Sequence, residues 1–238
     1  MRPTALVTGA GRGIGRAVAD ALARDAWVAA LDIRFPPGDA PSHHTIEADV
    51  THPDQIATAV DSVVRERGGL DWVVSAAGIV RDRVSWKMTD DEWADVISVN
   101  LTGAFNVARV AIPHLRRSAQ GRLVFIGSIN GIRGRFGQAN YAASKAGLQG
   151  LARTLALELA RDGVTVNVVA PGFIDTPMTR ALPETVRRRA VERTPLGRTG
   201  CPADIAVAVR FLCGDGAGFI TGAMLPVDGG QLLGEVAS

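Results

Sequence analysis

The chain has 238 residues, 47% hydrophobic and 21% charged, enough apolar sequence to bury a full core in a single domain spanning residues 1–238. A formal net charge of +2 sets up no global field for nucleic acid or an anionic membrane, so neither is expected as a partner. Cys201 and Cys213 lie twelve apart with no C-x-x-C and no histidine cluster; they read as buried reduced thiols of a cytoplasmic protein, and no metal site is indicated.

Thr4–Thr8 (TALVT) is a short apolar strand, beginning so early that no signal peptide is expected. No apolar run approaches membrane-spanning length. The cluster Gly9, Ala10, Gly11, Arg12, Gly13, Ile14, Gly15 follows, and a helical pattern runs from Ile14 to Arg24. Glycines between a strand and a helix let the backbone turn tightly and approach a pyrophosphate at the helix N-terminus, where free N–H groups and the dipole favour anions. A second strand, Trp27–Ile33, carries Asp32 near its end, seventeen residues after Gly15, which is about the spacing for a carboxylate on the adenosine ribose.

His44–Val50 is the third strand. Thr51 is the expected N-cap of the next helix, with Pro53 in its first turn and its end near Arg67. Asp49 either helps to start that helix or belongs to a nucleotide site. Leu70–Ser75 is the fourth strand, and the small residues Ala76, Ala77 and Gly78 after it suit either close backbone approach to a cofactor or small-residue packing. Thr89 to Glu92 (TDDE) caps a long helix to Leu115, inside which Asn100 is a poor helix former. Arg122–Gly127 is the fifth strand, Gln138–Arg161 a helix, and Val164–Ala170 the sixth strand, closed by Pro171 and Gly172. Residues 173–200, with Pro177, Pro183, Pro195 and three arginines at 187–189, read as a lid with a short helix. Pro202–Leu212 is a helix and Ala223–Val227 a last strand. This alternation implies a parallel sheet covered on both faces, with the site at the strand C-terminal ends.

Chemistry concentrates at Ser128, Tyr141 and Lys145. Tyr141 and Lys145 are four apart on a helical segment and share a face. A fixed positive charge beside a phenol favours the phenolate and lowers its pKa from ~10, making it an acid or base for an alcohol or carbonyl oxygen. Tyr141 is the only tyrosine, and Lys87 and Lys145 are the only lysines among 26 basic residues, so a surface pair is the less favoured reading. Lys offers a compact charge with three donors where Arg is a planar fork. Ser128 ends an apolar strand and can hold the same substrate oxygen.

With TGAGRGIG (8–15), SAAG (75–78), Asn100, Ser128, YAASK (141–145) and PGFIDT (171–176) in order, the chain resembles the short-chain dehydrogenase/reductase family from Thr8 to Gly230. The resemblance implies a doubly wound Rossmann-type α/β fold with a seven-stranded sheet, and hydride transfer between a nicotinamide cofactor and a secondary alcohol or ketone. It implies Tyr141 as acid/base, Ser128 on the substrate oxygen, Lys145 on the nicotinamide ribose, and Asn100 disrupting its helix and holding a relay water. It places Asp49 beside the adenine, has Thr176 and the backbone of Ile174 hold the carboxamide, and counts Val50, Ala77, Gly78, Pro171 and Gly172 among the cofactor-binding residues. Ser75 departs from the family's usual Asn. Within the family, the segments 77–107 and 137–159 are most similar to 3-oxoacyl-acyl carrier protein reductases and hydroxyacyl-thioester dehydrogenases. A dehydrogenase of a small or cyclic secondary alcohol, and a non-catalytic dinucleotide-binding regulator, are the alternatives. Arg133, Arg135 and the 187–189 run meet an acyl carrier protein or coenzyme A in one reading and solvent in the other. Asp32 favours NAD(H), whereas Arg12 and Arg34 leave NADP(H) open. A homotetramer pairing helices 90–115 and 138–161 is expected.

Overall fold

The computed structural model describes residues 2–36 and 43–234. Seven strands form one parallel sheet: β1 Thr4–Thr8, β2 Trp27–Asp32, β3 His44–Glu47, β4 Trp72–Ser75, β5 Arg122–Ile126, β6 Thr165–Pro171 and β7 Met224–Val227, in the order β3-β2-β1-β4-β5-β6-β7. Strands β1, β4, β5 and β6 are buried along their whole length, as a sheet covered on both faces requires. Successive side chains of β1 go to opposite faces. Leu6 joins one apolar layer, with Val60 and Val63 of α2 (Pro53–Arg67), Val107 and Ala111 of α4 (Gly103–Leu115) and Leu148 of α6 (Ala139–Leu159). Ala5 and Val7 join the other, with Val18 and Leu22 of α1 (Gly13–Leu22) and Ile205 and Val209 of α9 (Pro202–Cys213). The chain winds outward in both directions from β1, so β1 and β4 flank the switch point where a crevice opens at the strand ends.

The remaining helices are α3 (Asp90–Ile97), α5 (Asn130–Arg133), α7 (Pro177–Arg180) and α8 (Glu184–Glu192). Thr89 and Glu92 form the expected capping box of α3, Glu92 N donating to Thr89 Oγ1 at 3.2 Å and Thr89 N to Glu92 Oε2 at 3.0 Å. The expected long helix is broken: Ser98–Thr102 between α3 and α4 is a π-helical turn. Among the described residues, the helical stretch Asp90–Leu115 has 26 residues and a mean hydropathy of 1.3 in its most apolar window, enough by length and composition alone to cross a membrane, a test that the core helix of a globular protein also passes. Its apolar side faces the sheet, with Val107, Ala108, Ala111 and Leu115 fully buried.

Other departures are local. Thr51 is not the N-cap of α2; His52 is, without a side-chain bond, because the Thr51 hydroxyl and N–H both donate to Asp49 Oδ1, at 2.8 and 2.9 Å. That side-chain turn also ends β3 at Glu47, short of Val50. Cys201 is exposed at the start of α9, not buried; Cys213 is buried, and burial pushes its thiol up to about 12. The lid carries two helices, α7 and α8, rather than one.

Candidate active site

The glycine loop is shaped by what it cannot hold. Gly9 has φ +67, and a Cβ there would lie 2.7 Å from Ala77 N. A Cβ on Gly15 would lie 2.1 Å from Gly9 O, so the first turn of α1 rests on the end of β1. Arg12, the N-cap of α1, makes no side-chain cap, which leaves the helix N–H groups free for an acceptor. Asp32 holds the loop from β2: Gly11 N donates to its Oδ2 at 2.8 Å and Ile33 N to its Oδ1 at 2.8 Å. Each carboxylate oxygen keeps a lone pair for a further donor.

These elements wall a cavity of ≈ 350 Å³ at the switch point. Gly9, Arg12, Gly13, Ile14, Gly15, Asp32, Asp49, Val50, Ala77 and Gly78 line it, as do Ser128, Tyr141, Lys145, Pro171, Gly172, Ile174 and Thr176. Gly11 and Asn100 do not; Gly11 turns its N–H to Asp32, and Asn100 stands behind the wall. Asp49 does both things left open by its sequence position, organising the turn before α2 and lining the cavity. Val50 is fixed by Asn106 Nδ2, which donates to Val50 O at 3.1 Å, and by Gly103, where a Cβ would lie 2.6 Å from Val50 Cγ2. Leu31, Ile33, Ala48, Ile79, Val99 and Met178 complete apolar walls that sequence reading did not single out. Thr8 was also missed. It is fully buried at the end of β1, and its Oγ1 accepts from Ala76 N and Ala77 N at 3.2 and 3.4 Å, bending the strand β4 exit around the loop. Arg12 and Arg34 are exposed, and neither pairs with Asp32.

Ser128 follows β5, and Tyr141 and Lys145 stand one turn apart near the start of α6. Ser128 Oγ accepts from Asn130 N at 3.1 Å and stands beside the Tyr141 phenol. Lys145 is buried, its Nζ donating to Ile126 O at 2.8 Å and lying 5.7 Å from the centre of the Tyr141 ring. A Cβ on Gly78 would come within 3.4 Å of that nitrogen, so glycine keeps the space around it open. Burial pushes Lys145 down to about 8. The expected lowering of Tyr141 by Lys145 is not found. Burial of the hydroxyl end raises the phenol, the Ser128 hydrogen bond pulls it down, and the charge of Asp82 raises it. The reason is that the ammonium is itself desolvated and directed at a backbone carbonyl.

Asn100 sits in the π turn and is buried. Its amide accepts from Ile79 N at 2.8 Å, and donates to Ile79 O at 3.0 Å and Ser144 Oγ at 3.1 Å. It therefore fastens the segment after β4 to α6, the expected helix disruption with a different set of partners from solvent. Thr176 caps α7, and Thr179 Oγ1 donates to Ile174 O at 2.6 Å, which sets the lid edge. Gln138 and Asn140 were not singled out from sequence, and both are buried beside the site. Asn140 Nδ2 donates to Arg81 O and Glu92 O at 3.0 and 2.8 Å, while its Oδ1 accepts from Tyr141 N at 2.7 Å.

An open helix N-terminus and a proton-handling side chain sharing one cavity are what an oxidoreductase working with a nicotinamide dinucleotide requires, and that is the class the fold and cavity define. The glycine cradle, which any Cβ at Gly9 or Gly15 would fill, fits such a cofactor. Residues 9–231 match the family model described as Enoyl-(Acyl carrier protein) reductase. The 3-oxoacyl-[acyl-carrier-protein] reductase MabA of Mycobacterium tuberculosis is 45% identical over 230 residues, covering 97% of this chain and 93% of that protein. The 3-oxoacyl-[acyl-carrier-protein] reductase FabG of Escherichia coli is 43% identical over 236 residues, covering 96% and 97%. The ligand-free aldohexose dehydrogenase of Thermoplasma acidophilum superposes with a TM-score of 0.93 at 34% identity, covering 100% of this chain and 96% of that one. The chain belongs to the short-chain dehydrogenase/reductase family and is an oxidoreductase.

Proposed function

We propose that the chain reduces the ketone of a 3-oxoacyl thioester to the 3-hydroxyacyl thioester, the acyl group being carried by acyl carrier protein or coenzyme A. The observation that carries this reading is the placement of Ser128, Tyr141 and Lys145 on the same cavity wall as the glycine loop. The names of the 43–45% identical relatives support the substrate class. When bound, the nicotinamide supplies a hydride to the carbonyl carbon. The Ser128 hydroxyl donates a hydrogen bond to the carbonyl oxygen, and Tyr141 transfers its proton there as that oxygen gains charge. Lys145, whose proton is loosened toward about 8, holds ribose hydroxyls and restores the phenol proton. Asn100 orders the wall behind them through Ile79 and Ser144.

Asp32 supports a preference for NAD(H) over NADP(H). Its carboxylate lines the cavity and can accept both ribose hydroxyls, whereas a 2′-phosphate would meet like charge. At ~4 Å and an effective dielectric near ~20 such a pair costs about 4 kcal/mol before screening. Exposure and salt reduce that to roughly one or two powers of ten in affinity. Two unpaired thiols support a cytoplasmic setting. Exposed apolar side chains on two helices, Phe105 of α4 and Leu157 of α6, support a homotetramer.

The test is turnover on acetoacetyl-CoA, longer oxoacyl thioesters and cyclic ketones, each with NADH and NADPH, for the wild type and Tyr141→Phe. Thioesters with NADH should give the highest kcat/KM. Tyr141→Phe should bind dinucleotide normally and lose ~10²–10⁴ in turnover. Retention of more than about a tenth of wild-type turnover by Tyr141→Phe would remove the phenol from the mechanism, and a ranking led by cyclic ketones would replace the substrate.

A further inference from the structure

The reaction leaves unused a buried charge at the floor of the sheet, at the end of β5 opposite the catalytic cavity. Arg122 begins that strand and is 6% exposed. Its Nη1 donates to Gly121 O at 2.9 Å, and its Nε is buried with no acceptor among protein groups. The register sets Trp72 of β4 on one side of it and Thr165 of β6 on the other. Residues paired in this way lie on strands about 4.8 Å apart and send their side chains to the same face. Both are buried, and Trp72 Nε1 and Thr165 Oγ1 also lack a hydrogen-bond partner. Among the described residues only four buried side-chain polar atoms are unpartnered, the other being Arg67 Nε, so three of the four fall in one row. Native interiors pair such groups, and a concentration of exceptions marks a place for an ion or a water.

No carboxylate answers the guanidinium. Among the described residues Arg122 forms no ion pair. Asp71, whose carbonyl accepts from Arg122 N at 2.8 Å, commits its carboxylate to Thr4 N and the Ser118 hydroxyl. Asp215, in the turn after α9, is exposed and forms no ion pair with Arg122. The row lies under α9, in the apolar layer that holds Trp72, Cys213 and Ala217. Gly218 roofs it. A Cβ there would touch Arg122 Nη2 at 3.8 Å, so glycine leaves the approach from the exposed loop open.

Arg122 Nε and Trp72 Nε1 can only donate, and the Thr165 hydroxyl can turn its proton the same way. Arginine keeps its charge at every pH at which a protein is folded. Burial of a charge without an opposite one is strongly destabilising. A water would accept from some of these donors and leave the charge uncompensated. We propose that Trp72, Arg122 and Thr165 form a binding site for a small monovalent anion of the halide class, which acts as the counterion of Arg122. The site is independent of the substrate proposed above. Its occupancy joins three neighbouring strands at the end of the sheet away from the chemistry, so it bears on stability and not on turnover.

Bromide and chloride are the probes, used with the full chain. In crystals grown with sodium bromide, diffraction at the bromine edge should show an anomalous peak within hydrogen-bond reach of Arg122 Nε and Trp72 Nε1. A water there without anomalous signal, or no density, overturns the proposal. In solution, sodium gluconate is replaced stepwise by sodium chloride at constant ionic strength. Once the site fills, the wild-type Tm should climb by roughly 3–5 °C per tenfold chloride. Arg122→Met should show no such climb. A wild-type Tm indifferent to the exchange overturns the proposal, and a climb that survives in Arg122→Met places the anion elsewhere. Should Arg122→Met lose its fold by near-ultraviolet circular dichroism, Thr165→Val and Trp72→Phe take its place. Each removes one donor and should move the onset of the climb to about tenfold higher chloride; an unchanged onset in both overturns the site.

Discussion

At the scale of single residues, the site is built from groups held against their own preferences. Lys145 is a buried cation whose Nζ donates to Ile126 O at 2.8 Å. Its folded pKa, about 8, lies below the unfolded value of 10.5. The unfolded chain thus binds more protons between these values, and stability rises with pH across that window. Below pH 8 the full penalty is present, on the order of 3 kcal/mol. Replacing Lys145 by Met removes it and leaves the Ile126 carbonyl without a partner, which costs about 1–3 kcal/mol. Lys145→Met should therefore be inactive and yet melt at the wild-type temperature or a few degrees above it at pH 7. That relative advantage should shrink as pH rises from 8 toward 10.5. Thermal denaturation of the two proteins across this range checks it; parallel curves would show that the ammonium is accommodated without a burial penalty.

At the scale of elements, two breaks in regularity place the chemistry. The π turn Ser98–Thr102 rotates Asn100 inward, where its amide meets Ile79 and Ser144. Asn is a poor helix former, and this much was legible; its two partner residues come from segments distant in sequence and were not. The other break is the β1–α1 loop. A methyl group at Gly15 would sit 2.1 Å from Gly9 O, a backbone atom that cannot yield. Gly69, with nothing within 4 Å of its Cβ position, offers a control on the same scaffold. Gly15→Ala should lose measurable dinucleotide affinity and destabilise the fold by a few kcal/mol, as overpacking does, in the range ~1–3 kcal/mol or above. Gly69→Ala should change neither. Fluorescence titration of NADH together with chemical denaturation measures both, and equal behaviour of the two variants would contradict the close approach of α1 to β1.

At the scale of the whole molecule, exposed apolar side chains lie where the proposed tetramer would cover them. Leu157 on α6 is 81% exposed and Phe105 on α4 is 41% exposed, with Arg109 over its ring at 5.3 Å. Both helices also pack on the catalytic wall, since a Cβ on Gly147 of α6 would lie 2.8 Å from Leu101 in the π turn. Assembly along these helices would brace the site from behind. Leu157→Glu should therefore lower the mass measured by light scattering below that of a tetramer, with turnover per chain falling in step. A wild type that runs as a monomer, or a variant that remains tetrameric, would place the contact elsewhere.

The sequence by itself determined the alternation of strands and helices, the glycine loop, the carboxylate that ends β2 and the spacing of Tyr141 and Lys145, because each is a local pattern whose physics acts over one turn or one strand. Thr51 and Cys201 were misread from the same kind of pattern: an acceptor on Asp49 took the Thr51 hydroxyl, and the start of α9 lies at the surface. Only the tertiary structure decided the strand order, the burial that loosens the Lys145 proton, and the hydrogen bonds that tie Gln138 to Asp82 and to Asn130. Those depend on segments brought together across the sheet, and desolvation and hydrogen-bond direction have no signature in residue spacing.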